Sequence, residues 1–336
     1  MRLKTLGKQA AKRILIGSGG LRVAARLVAP GAVVLMYHSI VEEPRLTENS
    51  IGISQSQACF EAHVRAIAQR FKPVSIEEIA EFARKNRRLP ANSVAVTFDD
   101  GFADNYEVAL PILNRYGVPA TFYIMVNAVE TGNLPWYCRL RFAIRTTRKA
   151  EWRDPELPRS FKTNVGHDRE AALNNAIEIG ARKTGRDQEE FVQRVEKALD
   201  VESPGPPQGL MMTWDQVRTL RKSGHTIGAH TLSHPNLAHI NREEARAEIL
   251  GCKKRIEEVL GEPVDHFSYP HPALNPQWSP ETFTITRDAG FKSAVLTTCG
   301  PVRQGDEPLA LKRIYAASDL DQWIWNLHCT YLDRSI

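Results

Sequence analysis

The side chains best placed to do chemistry are two adjacent carboxylates and two histidines four residues apart. Asp99 and Asp100 fall in residues 94–106 (VAVTFDDGFADNY), and His230 and His234 in residues 228–235 (GAHTLSHP). Neighbouring carboxylates where a strand runs out can face one pocket at different angles, which suits a metal ligand beside a general base. One aspartate with two histidines would leave coordination positions open for water and substrate, as a catalytic rather than a structural metal requires. Each half also has a plainer reading. Asp-Gly is a common hairpin turn, and histidines in a loop are ordinarily solvated. Pro235 disfavours helical backbone at His234, so this pair belongs to a strand end and its loop rather than to one face of a helix.

The surrounding elements say how the two halves could meet. Residues 94–98 are apolar and β-branched, as a buried strand should be, and Gly101 permits a sharp change of direction after the aspartates. Residues 226–229 form a short strand running into His230. Further strands are expected over 32–37, ending at His38, and over 120–126, 267–269 and 294–298. Helices are expected over 60–69, 76–85, 105–116 with an interruption at Pro111, 214–222, 241–260 and 280–289. Ser75 with Glu78, Thr213 with Gln216 and Asn241 with Glu244 have the spacing of capping boxes. Alternation of this kind predicts an α/β fold with parallel strands, whose active sites gather at the carboxyl ends of the strands.

Residues 131–209 break the alternation. They are rich in charge, helical in pattern over 169–199, and end in the linker SPGPPQG, which predicts a mostly helical insertion. The expected organisation is a basic N-terminal segment (1–31), one α/β domain over 32–320 interrupted by 131–209, and a C-terminal tail (321–336). The net charge of +5 is concentrated at the start, where residues 1–41 carry seven Lys/Arg and no acid. Leu3, Leu6, Ala10 and Ile14 recur at helical spacing beside a Lys4, Lys8, Lys12 row, which an anionic membrane surface could attract; a solvated, frayed terminus is the alternative. The rest of the chain is nearly neutral and has no basic stripe for nucleic acid. Five widely spaced cysteines without a CxxC pair read as reduced thiols. No secretion signal or spanning segment is evident, so the expected location is cytoplasmic, with peripheral contact at the inner membrane face through the N-terminus.

TFDDG (97–101) and HTLSHP (230–235) resemble the two best-defined motifs of the polysaccharide deacetylases, the NodB-homology or family 4 carbohydrate esterases. The resemblance covers roughly residues 32–130 and 210–315. It implies a distorted (β/α)7 barrel and hydrolysis of an acetamido group on a sugar. Carried over by position, it implies that Asp100, His230 and His234 bind a divalent metal, zinc or else cobalt, nickel or manganese, and that Asp99 is the general base. The implied substrate is an N-acetylated hexosamine in a glycan or a lipid-linked saccharide. Such chemistry needs a polarised carbonyl, an activated water, an oxyanion donor and an acid for the leaving amine.

Two departures stand out. Where the family usually has Arg-x-Pro-Tyr-Gly, this chain has Ser268-Tyr269-Pro270-His271-Pro272. The arginine that orients the base is replaced by Ser268. Tyr269, Pro270 and His271 are left to line the substrate, with the His271 backbone N–H as the oxyanion donor. The C-terminal Leu-x-His that supplies the acid is not recognisable, and Leu311-Lys-Arg-Ile314 stands near its place. MYHSI resembles the exopolysaccharide-processing branch, in which a histidine after the first strand serves as acid, and points to His38; His271 and His328 are alternatives. Trp136, Tyr137, Trp323 and Trp325 read as packing anchors. Two rival functions fit less of the sequence: a deformylase or small-amide hydrolase on the same fold, and a glycan-binding protein without turnover.

Overall fold

The computed structural model describes residues 31–41 and 54–332. The expected basic N-terminal helix lies outside the described residues. Seven strands form one curled parallel sheet: β1 (Gly31–Tyr37), β2 (Ser93–Phe98), β3 (Ala120–Ile124), β4 (Thr226–Ala229), β5 (His266–Ser268), β6 (Ser293–Val295) and β7 (Ile314–Tyr315). They lie in the spatial order β6-β5-β4-β3-β2-β1-β7, with short strands added beside the starts of β1 and β2. β1 and β2 are in register from Ala32↔Ser93 to Tyr37↔Phe98. Leu311 bridges Val295 and Ile314 pairs with Leu35, so residues 311–315 connect the last strand to the first and curl the sheet into a distorted barrel. Strands buried on both faces favour apolar residues, which is why β1 and β2 are apolar but for Ser93 and Thr97, whose hydroxyls donate to Pro90 O and Leu35 O.

Alternate residues serve two layers. Val33, Leu35, Tyr37, Val96, Phe98, Phe122 and Ile314 face outward against the helices, with Phe98 and Phe122 stacked at 4.8 Å. Ala32, Val34, Ala95, Tyr123, Val295 and Leu311 share a separate cluster inside the barrel. Helix α1 (Gln57–Arg70) is capped by Ser56, α2 (Ile76–Ala83) opens with the Ser75/Glu78 box, and both bury their apolar faces on the strands. The capping boxes at Thr213 and Asn241 also form.

Two expectations change. Residues 105–116 are not one interrupted α-helix. Asn105–Ala109 is a π-helical turn, with the Leu110 N–H reaching back to Asn105 O, and an α-helix follows over Leu110–Tyr116. Pro111 offers no N–H, so the α-helical ladder restarts at its own first turn. The expected C-terminal tail (321–336) is also helical over most of its described part. Leu320–Tyr331 is a helix capped by Asp319; Trp323, Leu327 and Tyr331 join the outer core, and Trp323 stacks on His63 at 4.4 Å.

The insertion folds around its own core. Trp136–Thr146, Gly166–Gly180 and Gly185–Leu199 are helices that bury Leu140, Ile144, Ala176, Phe191 and Val195 together. Gly180 is required there, because a Cβ would lie 2.4 Å from the Trp136 ring. Arg139 crosses between helices to Glu189 at 2.7 Å and Glu196 at 2.6 Å. The chain leaving the insertion is stitched to the loop after the aspartates through Met212 N→Gly101 O and Ala103 N→Leu210 O, both 2.9 Å. Among the described residues, no helix is long and apolar enough to cross a membrane.

If the C-terminal helix is an integral wall of the barrel, Trp323→Ala should lower unfolding free energy by roughly 3 kcal/mol or more in urea titrations. An unchanged midpoint would return the segment to the status of a dispensable tail.

Candidate active site

The two aspartates sit where β2 meets the barrel mouth. Asp99 N–H still donates to Tyr37 O at 3.0 Å, but Asp100 and Gly101 take φ of 77° and 89°. Two consecutive left-handed residues break the strand's alternation, so neighbouring carboxylates are directed to different partners in one buried site. Asp99 is turned to a positive charge and Asp100 to the histidines.

His230 follows β4, its N–H bonded to Ile124 O at 2.9 Å, and His234 follows a tight loop in which Thr231 and His234 have φ of 64° and 59°. Glu248, buried on the helix Arg242–Leu260, holds that loop from beneath. Its Oε2 accepts the N–H groups of Leu232 and Ser233, both at 2.8 Å, and its Oε1 accepts the Ser233 hydroxyl at 2.5 Å. From the other side Trp136 Nε1 donates to His234 O at 3.1 Å, and the Tyr137 ring packs against the His234 imidazole at 4.8 Å. Trp136 and Tyr137 are packing anchors, and what they anchor is the histidine loop.

Asp100, His230 and His234 bring one potential ligand atom each within 4.8 Å of one another, all buried. The His Nε2 atoms lie 3.4 and 3.6 Å from Asp100 Oδ1, yet neither carboxylate oxygen of Asp100 has a hydrogen-bond donor. A buried carboxylate without donors is costly unless a cation completes it. His230 Nδ1 lies 2.8 Å from Ser268 O, which fixes its proton there and leaves the Nε2 lone pair facing the aspartate. Burial pushes His234 down to about 3, so its ring is neutral and able to donate a lone pair. The donor set and its second partners therefore fit a divalent ion such as zinc.

Asp99 has a different environment. Arg313, fully buried on the approach to β7, donates to both of its oxygens at 2.8 and 2.7 Å. The same guanidinium donates to Thr97 Oγ1 at 3.2 Å, Ser268 Oγ at 3.1 Å and Leu296 O at 2.9 Å. Burial raises the Asp99 pKa, Arg313 outweighs it, and the carboxyl is held below its ordinary range. The arginine missing from β5 is thus supplied from the segment leading into β7, and the small Ser268 leaves room for it. Neither Arg313 nor Glu248 is among the residues expected from the sequence. Arg313 had a weak signal, one of two adjacent cations between the apolar Leu311 and Ile314, in a chain whose motif at 268–272 lacks its arginine. Glu248 had none, being one of several acids on a charged helix.

His38 follows β1 at the same mouth, within the electrostatic reach of Asp100 and Asp99; burial nevertheless lowers its pKa, which favours a neutral ring. Its carbonyl accepts Asn105 Nδ2 at 2.7 Å. The remaining expected residues are not all gathered here. Tyr269 is buried in the outer core against Phe267 and Trp278, so its ring cannot line the pocket. The His271 imidazole is turned to Thr297 Oγ1 and Leu274 O, both at 3.2 Å. His328 lies on the C-terminal helix against Phe71.

Residues 86–294, well over half of the chain, match the family model for polysaccharide deacetylases. The chain belongs to that family. It is therefore a hydrolase acting on an amide bond of a glycan. The Bacillus subtilis protein YxkH is 20% identical over 282 residues, covering 84% of this deacetylase and 70% of YxkH. The poly-β-1,6-N-acetyl-D-glucosamine N-deacetylase of Escherichia coli K12 is 29% identical over 101 residues, which is 30% of this deacetylase and 15% of that protein. Among solved structures, the Streptococcus pyogenes deacetylase PplD in complex with acetate aligns with a TM-score of 0.59 at 20% identity, covering 90% of this chain and 99% of that one. At such identity the likeness shows the shared fold.

Removing the Arg313 charge takes away the largest influence opposing burial at Asp99, so its pKa should rise. An Asp99 that must be ionised to accept a proton then requires higher pH. Arg313→Met should lower kcat by about 100-fold and move the acidic limb of the pH–rate profile upward, with metal content retained. An unshifted acidic limb would show that Arg313 does not tune Asp99.

Proposed function

We propose that this deacetylase removes N-acetyl groups from N-acetylhexosamine units of a polysaccharide or lipid-linked saccharide, with Asp100, His230 and His234 holding a divalent metal and Asp99 acting as general base. The observation that carries the reading is the division of labour between adjacent carboxylates. Asp99 is saturated by Arg313, while Asp100 is left without a donor opposite two imidazoles. When bound, the metal supplies Lewis acidity that polarises the acetamide carbonyl and makes water more acidic.

Asp99 takes the proton from the attacking water, and Arg313 keeps that carboxylate ionised and aimed until it does so. His38 is the proposed donor to the departing amine. Its neutral resting ring must first take up a proton, and the adjacent acidic groups favour that uptake. The His271 backbone N–H is the proposed oxyanion donor. The name of the Escherichia coli relative supports an N-acetylglucosamine polymer as substrate class.

Elemental analysis should find about one divalent ion per chain, and acetate should be released from N-acetylglucosamine oligomers and stop on treatment with chelator. Asp99→Asn should reduce kcat by roughly 100- to 10,000-fold while keeping the metal. Formate in place of acetate would instead favour the deformylase reading, and full activity of Asp99→Asn would remove it as the base.

The basic N-terminal segment is proposed to bring the enzyme to an anionic membrane face, which suits a lipid-linked substrate in the cytoplasm. Deletion of residues 1–28 should abolish sedimentation with phosphatidylglycerol liposomes without changing kcat on a soluble oligomer. Unchanged sedimentation would sink the membrane assignment.

A further inference from the structure

Tyr315 is the exposed large apolar side chain among the described residues, at 55%. Its place in the fold makes it more than a scattered surface aromatic. Extended backbone through residues 313–315, leading into β7, puts Tyr315 on the same side as Arg313, whose guanidinium fills the barrel beside Thr97, Asp99 and Tyr123. Ile314 between them faces the outer core. Tyr315 therefore points into the barrel one pleat beyond Arg313, roughly 7 Å nearer the mouth. Its register partner is Met36, two residues before His38. Asp99 and Arg313 both act electrostatically on its phenol, and Thr297 lies beside it.

Polar groups stand on the adjoining strand ends. Thr297 Oγ1 donates to Gln277 Oε1 at 2.8 Å and lies 3.2 Å from His271 Nδ1. An exposed aromatic face with a hydroxyl beside it matches a pyranose, which has an apolar face of C–H groups and a polar edge of hydroxyls. Deep in the same barrel stand the base and the candidate metal ligands.

We infer that Tyr315 is a sugar-stacking wall of the catalytic pocket, with the Thr297 hydroxyl beside it at the hydroxyl edge of the same pyranose. This rests on the deacetylase reading above. A ring already held at the strand end stacks with little ordering cost, so its contribution is to substrate binding rather than to the chemical step. Tyr315 is then a specificity residue that selects a glycan over a small acetamide.

The test uses the full-length, metal-loaded enzyme with an N-acetylglucosamine tetramer and with the small substrate N-methylacetamide. Tyr315→Ala should raise KM for the tetramer roughly 3- to 10-fold while leaving kcat, and kcat/KM for the small amide, unchanged. Tyr315→Phe, which keeps the ring, should stay within about twofold of wild type. Saturation-transfer NMR should show signal transfer to the sugar C–H protons that weakens in Tyr315→Ala, a readout independent of acetate release. Wild-type acetate release with a KM unmoved by Tyr315→Ala would overturn the sugar wall and leave the deacetylase reading standing. Saturation transfer that reaches the sugar in wild type and disappears in Tyr315→Ala, with no acetate released by wild type, would do the reverse.

Discussion

Two carboxylates on consecutive residues at a buried barrel mouth impose the constraint that organises this molecule. Like charges so close, and so far from water, cannot both persist unless each has its own counter-charge. For Asp99 the chain provides one, the fully buried Arg313, with two short hydrogen bonds. For Asp100 it provides two imidazoles and no donor, and this buried acid with no donor is what a cation would complete. Separate partners for neighbouring residues require the backbone to turn between them. The left-handed pair at Asp100 and Gly101 does this.

That geometry is strained, and the strain is distributed. Asp100, Thr231 and His234 each occupy a region that non-glycine residues avoid, at a cost of order 1–3 kcal/mol apiece. Three supports over-determine the histidine loop: Glu248 beneath it, the His230–Ser268 contact beside it, and Trp136 and Tyr137 against it. The two aromatic supports come from the insertion. Its helices keep their own core, and through Trp136 they also bear on the site, so the insertion is a brace as much as an added lobe. The stitching of Met212 to Gly101 and of Leu210 to Ala103 ties its exit to the loop after the aspartates as well.

The barrel solves a second problem by moving a residue between strands. β5 ends in Ser268 where a guanidinium is expected, and Arg313, the residue before β7, supplies that guanidinium within the same interior. A small residue on one strand and a large cation before another fill the same volume. The exchange leaves the next inward position, Tyr315 of β7, standing at the mouth, so the residue that tunes the base and the residue that faces the substrate are two positions apart in one segment.

Much of the fold was legible in the chain because its signals are local. Apolar β-branched runs marked the strands, Ser75/Glu78, Thr213/Gln216 and Asn241/Glu244 marked helix starts, and TFDDG with HTLSHP marked the strand ends that meet. The sequence by itself determined which residues could bind a metal and the order of elements that carries them, since both depend on side-chain type and short spacing. The π-helical turn before Pro111 and the buried C-terminal helix were not legible there, because packing decided them. Only the tertiary structure decided the partners: Arg313 for Asp99 across 214 residues, Glu248 for the loop of His230 and His234, and the burial that takes Tyr269 out of the pocket. Adjacency within a curled sheet follows from register and closure, and neither is written in any short stretch of chain.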